Sequence, residues 1–101
     1  MSTYFFMFEL RPKPDGKHFG KLAGAMASLC IVDLSEPSAR KRAVDYLTSE
    51  HWNIIKDERS CIVDRASCSN TVELSTLYNL AQQDGISCIV AAGVFGDESL
   101  N

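Results

Sequence analysis

Residues 3–10, TYFFMFEL, constrain the fold of this chain more than any other segment. The run is too short for a buried helix, and aromatic side chains fit the pleated surface of a sheet, so it predicts a strand. Successive residues of a strand face opposite sides, which sends Phe6 and Phe8 one way and Phe5 and Met7 the other. A sheet with one solvated face alternates apolar and polar residues, so this strand predicts a sheet whose two faces both need cover.

The next segment is predicted to be a loop, a second strand and a helix. Residues 11–20 hold two prolines and two glycines, which do not continue a sheet ladder. Residues 21–33 are mostly small and apolar, which predicts a strand with a bulge at Gly24. Residues 35–37, Ser-Glu-Pro, then begin a helix, because serine caps a helix and proline is tolerated in its first turn.

The second half of the chain is predicted to alternate strand, helix and strand. Residues 52–63 indicate one long, bent strand, with a hairpin around Asp57 and Glu58 as the alternative. Asn70 and Glu73 have the spacing of a capping box, and Gly85 suits the left-handed end of a helix, so the second helix lies between them. Residues 86–94 predict a last buried strand, and residues 96–101 an acidic tail.

The predicted order is β-β-α-β-α-β in a single α+β domain that spans residues 1–101. We predict a two-layer sandwich, in which a four-stranded, mainly antiparallel sheet carries both helices on one face. This arrangement is related to the ferredoxin-like plait without its first helix. A shared fold by itself carries no function.

Composition and charge exclude several classes of protein. The 46% of hydrophobic and 23% of charged residues are those of an ordinary globular protein. The net charge of −3 opposes a phosphate backbone, so we expect no nucleic-acid partner. The longest uncharged run, residues 85–96, is too short to cross a bilayer, so no membrane partner is expected either. The N-terminus does not have the pattern of a secretion signal, and we expect a cytoplasmic protein.

Several features of the first 60 residues together resemble small uncharacterised bacterial α+β proteins of about this length. They are the aromatic run of residues 4–9, the Gly24-Ala25 pair that opens a strand of small residues, and a helix that ends just before Trp52. These are structural features of low specificity. The resemblance therefore implies a fold, and it assigns no activity and no functional residue.

Four cysteines are the first candidates for chemistry. Cys30, Cys61 and Cys88 each begin a Cys-Ile-Val segment and are predicted to be buried core thiols. Cys68 lies in a loop-like Ser-Cys-Ser just before a helix, where it is expected to be exposed and is the candidate for a reactive thiol. The four are not spaced as the close pairs of a metal site or a redox motif, so we expect no metal and no cofactor.

No catalytic residue is predicted. His18 lies in the predicted loop of residues 11–20, which also contains Arg11, Lys13 and Lys17, and His51 stands at a helix end, where the helix dipole favours a cation. Asp33 and Asp64 follow the first two Cys-Ile-Val segments and suit capping or turn hydrogen bonds. The motifs for phosphate cradles, dinucleotides, zinc proteolysis and hydrolase elbows are absent.

The apolar character of both strand faces predicts a partner. Two helices on one face leave the other face in water, so we expect a homodimer through that open face. The candidate interface residues are Phe5, Met7, Ile89 and Ala91. The alternative is that residues 11–24 fold over this face within one chain.

We therefore expect a non-catalytic domain that acts through homodimerisation and through binding of a protein or a small ligand. Two alternatives remain open. One is a small enzyme with a site at the dimer interface that uses Cys68 or His18, and the other is an acidic protein of the immunity or antitoxin kind.

Overall fold

The computed structural model describes residues 1–16, 20 and 23–92. Along the chain, the elements are β1 (Ser2–Pro12), β2 (Ala25–Asp33), α1 (Glu36–Ser49), β3 (Trp52–Val63), α2 (Val72–Asp84) and β4 (Ile86–Ala92). The α+β class and the order of strands and helices are confirmed. The predicted end of the last strand at residues 93–94 and the predicted tail lie outside the described residues.

All four strands pair antiparallel in one open sheet, in the order β3-β1-β2-β4. β1 is central, and its Phe5 lies between Cys30 of β2 and Cys61 of β3. The prediction of a single long β3 is confirmed. β3 bends because its register against β1 shifts twice, after Met7 and after Glu9, and such irregularities bend a strand.

α1 covers one face of this sheet. The even-numbered side chains of β1, from Tyr4 to Leu10, are buried there against Ala39, Ala43 and Leu47 of α1. The two alanines allow the helix to approach the aromatic rings closely. Phe6 and Phe8 stack with their ring centroids 5.8 Å apart, and this face forms the larger core.

α2 lies on the opposite face, and the prediction of two helices on one face is wrong in this respect. Leu77 and Ala81 of α2 pack on Phe5 and Cys30, which point away from α1. The molecule therefore has three layers: helix, sheet and helix. The physical reason is the apolar second face recognised in the sequence, which the chain itself covers. Because β3 is an edge strand, the connection that follows it has access to either face.

Hydrogen bonds to β1 and β4 hold α2 in this position, and others define its two ends. The helix is capped by Thr71, whose Oγ1 accepts the Leu74 N–H at 3.1 Å, so the predicted capping role of Asn70 is wrong by one residue. The Gln82 amide donates to Thr3 of β1 at 2.8 Å, and the Ser87 hydroxyl donates to the Leu77 carbonyl at 2.6 Å. Gly85 ends the helix with φ 84°, as predicted.

The loop between β1 and β2 does not cover the second face where it is described. The Lys13 N–H donates to the His51 carbonyl at 2.9 Å, which places this turn beside the C-terminus of α1. A Cβ added at Gly16 would lie 2.9 Å from the Cβ of His51, so this close approach requires glycine. Gly24 precedes β2, which overturns the predicted bulge. The rest of the predicted cover, residues 17–19 and 21–22, lies outside the described residues. Among the helices that the structure describes, none has the length and apolar character to cross a membrane.

Candidate functional site

A groove opens on the α2 face, between α2 and the C-terminal half of β3. α2 lies over β2 and β4, so the part of this face nearest β3 is left as a cleft of about 450 Å³. Such a volume falls in the range of small-molecule sites, roughly 300–1,000 Å³. The lining residues come from three strands, the connection 64–71 and the first turn of α2: Phe5, Met7, Ser28, Arg59, Cys61, Ile62, Val63, Ser67, Cys68, Asn70, Thr71, Glu73 and Leu74.

The groove combines an apolar floor with a cation. Phe5, Met7 and Leu74 supply the apolar surface. Arg59 lies opposite Met7 in the register, and its exposed guanidinium has no hydrogen bond or ion pair with any other described residue. Glu73, in the first turn of α2, is the acidic residue of the lining. The groove therefore offers an unpaired positive charge next to apolar surface.

The wall formed by residues 64–71 is fixed by its own hydrogen bonds. The Asp64 carboxylate accepts the Ser67 N–H at 2.8 Å, and this bond lowers the pKa of Asp64 below its ordinary value. Arg65 donates to the Asn79 side chain at 2.7 Å and lies over the Tyr78 ring. These contacts attach the connection to α2, so this wall of the groove is held before any ligand arrives.

The structure exchanges the predicted roles of two cysteines. Cys68 is 2% exposed, and burial raises the pKa of its thiol, so the prediction of an exposed, activated Cys68 is wrong. Cys61 was predicted to be buried and is exposed, because β3 is an edge strand and no helix covers this position. Cys30 is buried as predicted, and Cys88 is half-buried. Burial raises the pKa of Cys30 to about 12 and that of Cys88 to about 11.

The degree of burial of the four cysteines predicts the order in which their thiols react. In the native protein a thiol reagent at pH 8 is expected to modify Cys61 first, because a thiolate must be both formed and accessible. Cys30 and Cys68 are buried and are expected to react only as fast as the protein opens, whereas the half-buried Cys88, whose pKa burial raises, is expected to react at an intermediate rate. Timed labelling followed by mass spectrometry of the peptides measures this order. Early labelling of Cys68 would contradict the burial of the connection 64–71.

Of the histidines and aspartates singled out in the sequence, His51 and Asp33 lie apart from the groove lining. The structure gathers no group of three or more His, Cys, Asp or Glu side chains among the described residues that is arranged to hold a metal ion. His51 is exposed, with its Nδ1 3.4 Å from the Asp15 carboxylate, and His18 lies outside the described residues. Asp33 accepts from the Leu34 N–H and the Ser38 hydroxyl, and these bonds lower its pKa; they give Asp33 a structural role in the turn before α1, whose N-cap is Ser35.

The predicted interface residues do not form an open face. Phe5 is 4% exposed beneath α2, so its assignment to an uncovered surface is wrong. Met7 and Ile89 are half-buried at the border of the same core, and Ala91 is exposed near the end of β4. Dimerisation itself stays a prediction. Because α2 covers the predicted face, a dimer would have to form through another surface of the molecule.

Comparisons with protein-family models, with curated proteins and with solved structures found no match to this chain. The resemblance to small bacterial proteins therefore stays a prediction.

Sequence patterns missed the groove because its residues come from five separate segments. Arg59 belongs to a charged run, residues 56–59, that has the pattern of a solvated strand edge. The one available signal was alternation backward from Cys61, which places Arg59 on the same face as Phe5 and Met7. That signal required the register of β3 on β1, which tertiary structure supplies.

Proposed function

We propose that this chain is a non-catalytic binding module whose groove takes a small molecule with an apolar body and a carboxylate group. The observation that carries this proposal is Arg59, which has no ion-pair partner among the described residues, beside an apolar floor in a groove of about 450 Å³. Arginine presents a planar fork of donors that matches a carboxylate in two parallel hydrogen bonds. The apolar surface of Phe5, Met7 and Leu74 then receives the hydrocarbon part of the ligand.

The charge distribution supports an anion in preference to a cation. Arg59 has no acidic partner among the described residues, whereas Arg40 on the other face is paired with Glu36 and Asp57. The groove also lies at the N-terminal end of α2, where the helix dipole adds a partial positive charge. Glu73 offsets part of this field, which favours a ligand with one negative charge over a highly charged one.

Displacement of a fluorescent probe tests the proposal. Anilinonaphthalene sulfonate, which is aromatic and anionic, is expected to bind the groove and to be displaced by octanoate. Octylammonium has the same chain with the opposite charge and is expected to displace it poorly. Arg59→Met is expected to weaken octanoate binding about tenfold, because that factor corresponds to about 1.4 kcal/mol, the lower end for a hydrogen bond to a charged group.

Arg11→Met is the matched control, since Arg11 is an exposed cation of β1 outside the groove lining. This variant is expected to bind octanoate like the unmodified protein. Equal displacement by octanoate and octylammonium, or equal affinity in Arg59→Met and Arg11→Met, contradicts recognition of an anion by Arg59. Absence of probe binding contradicts the groove as a ligand site.

A further inference from the structure

We propose that two copies of this chain associate through the outer edge of β4, joining their sheets into one. This surface is at the opposite edge of the sheet from the groove, so it is independent of the proposed ligand. The partner is a second copy of the same chain, and the reasons are hydrogen-bond direction, the contrast between the two sheet edges, and apolar residues beside β4.

The hydrogen-bond pattern leaves one set of β4 backbone groups directed outward. The Val32 N–H donates to the Gly85 carbonyl at 3.0 Å, so these two residues occupy a hydrogen-bonded position at the end of the antiparallel ladder, although the Gly85 N–H itself caps α2. Such pairs alternate along a ladder, which directs the backbone groups of Ser87 and Ile89 toward β2. The N–H and C=O groups of Cys88 and Val90 then point away from the sheet, and no other strand among the described residues pairs with them.

The two edge strands of the sheet differ in how readily a further strand can pair with them. β3 has charged residues at positions 56–59 and two register shifts, and both features hinder the addition of another strand. β4 (Ile86–Ala92, ISCIVAA) has no charged residue and no proline, and its ladder on β2 is regular. An uncharged, regular edge is the one on which a further strand pairs.

Apolar side chains lie beside the β4 edge on both faces of the sheet. On the α1 face, Val90 is 37% exposed, and Tyr46 of α1 is exposed as well. On the α2 face, Leu80 is 42% exposed. Leu80 stands about 200° around the helix from Tyr78, which contacts the connection from β3, so Leu80 is directed toward the β4 side. A second copy buries these side chains together with the strand edge.

The sequence of β4 permits a symmetric register. With a twofold axis at Ile89, Cys88 of one copy pairs with Val90 of the other, and Ile86 pairs with Ala92. All seven residues of the strand are then paired, and the outward groups of each copy meet those of its partner. No charged residue of β4 meets its own copy across the axis. The same surface on both chains is therefore complementary to itself.

Sedimentation equilibrium of the full chain over a range of micromolar concentrations tests the proposal. The unmodified protein is expected to approach twice the chain mass of 11.2 kDa. Val90→Pro removes an outward N–H without removing a bond to β2, and proline is tolerated at such edge positions. This variant is expected to sediment as a monomer. Val90→Thr, which keeps the N–H and the branched shape, is the matched control and is expected to remain a dimer.

A second pair of variants tests the proposal independently, in case Val90→Pro does not fold. Leu80→Lys is expected to weaken the dimer, whereas Val72→Lys, on the same helix and 84% exposed, is expected to leave it unchanged. Circular dichroism confirms that each variant is folded. A concentration-independent mass of 11.2 kDa for the unmodified protein, or a dimer that persists in folded Val90→Pro, overturns the proposal. Arg59→Met is expected to remain a dimer, which separates this result from the ligand proposal.

Discussion

Leu77→Glu is expected to unfold most of the protein. Leu77 is fully buried on α2 against Phe5 and Cys30, so a glutamate there loses its hydration without gaining a cation. An unpaired buried charge costs several kcal/mol, a large part of the roughly 5–15 kcal/mol that stabilises a domain. The loss in the free energy of unfolding is expected to be smaller at pH 5 than at pH 8. Burial raises the pKa of the new carboxyl, so more of it is neutral at pH 5, and a neutral carboxyl is less costly to bury than a carboxylate.

Urea unfolding followed by circular dichroism measures this effect. Thr76→Glu is the matched control, because Thr76 is the preceding residue of the same helix and is exposed. It is expected to change the free energy of unfolding by less than about 0.5 kcal/mol. If Leu77→Glu were tolerated as well as Thr76→Glu, α2 would not cover the second face of the sheet.

Phe6→Ala is expected to lower the free energy of unfolding by about 3–5 kcal/mol. The Phe6 side chain is 0% exposed, stacks on Phe8, and has the Arg40 guanidinium 5.2 Å from its ring centroid. Removing the ring leaves a cavity between β1 and α1 and also removes the cation–π contact. The fluorescence of Trp52, which is buried in the same core, reports the unfolding transition in urea.

Ile62→Ala provides the comparison for Phe6→Ala. Ile62 lies on the same face of the sheet, opposite Tyr4, but at the edge in β3 and 66% exposed. Its truncation is expected to cost less than about 1 kcal/mol, because little apolar surface is withdrawn from water at this position. Comparable losses in the two variants would contradict the placement of the main core under α1.

The two proposed surfaces use different properties of the same sheet. The groove depends on the region near β3 that α2 does not cover, where Arg59, without an ion pair to any residue that the structure describes, lies beside apolar side chains. The proposed dimer contact at β4 depends on backbone groups that point away from the sheet and on the absence of charged residues in this strand. Dimerisation at β4 leaves the groove of each copy open at the far edge of the joined sheet.

The candidate site was predictable only in fragments. The alternation of β1 placed Phe5 and Met7 on one face, and the structure places both at the groove. The sequence also suggested chemistry for Cys68, but whether a turn residue lies over a sheet or in solvent depends on long-range packing. Cys61 shows the converse, since its Cys-Ile-Val segment has the same pattern as the buried one at Cys30. Local sequence does not distinguish a central strand from an edge strand.

Local sequence patterns are sufficient to predict the class, the order of the elements, most of their ends and the need to cover both faces of β1. These follow from local physics: side-chain alternation in strands, capping by Ser35, and the left-handed conformation of Gly85. The identity of the element that covers the second face, in contrast, depends on contacts between distant parts of the chain. That choice depends on the strand order β3-β1-β2-β4, which puts β3 at an edge and allows the following connection to carry α2 to the side opposite α1. Strand order is set by pairing between distant segments, and neither their periodicity nor their composition specifies it.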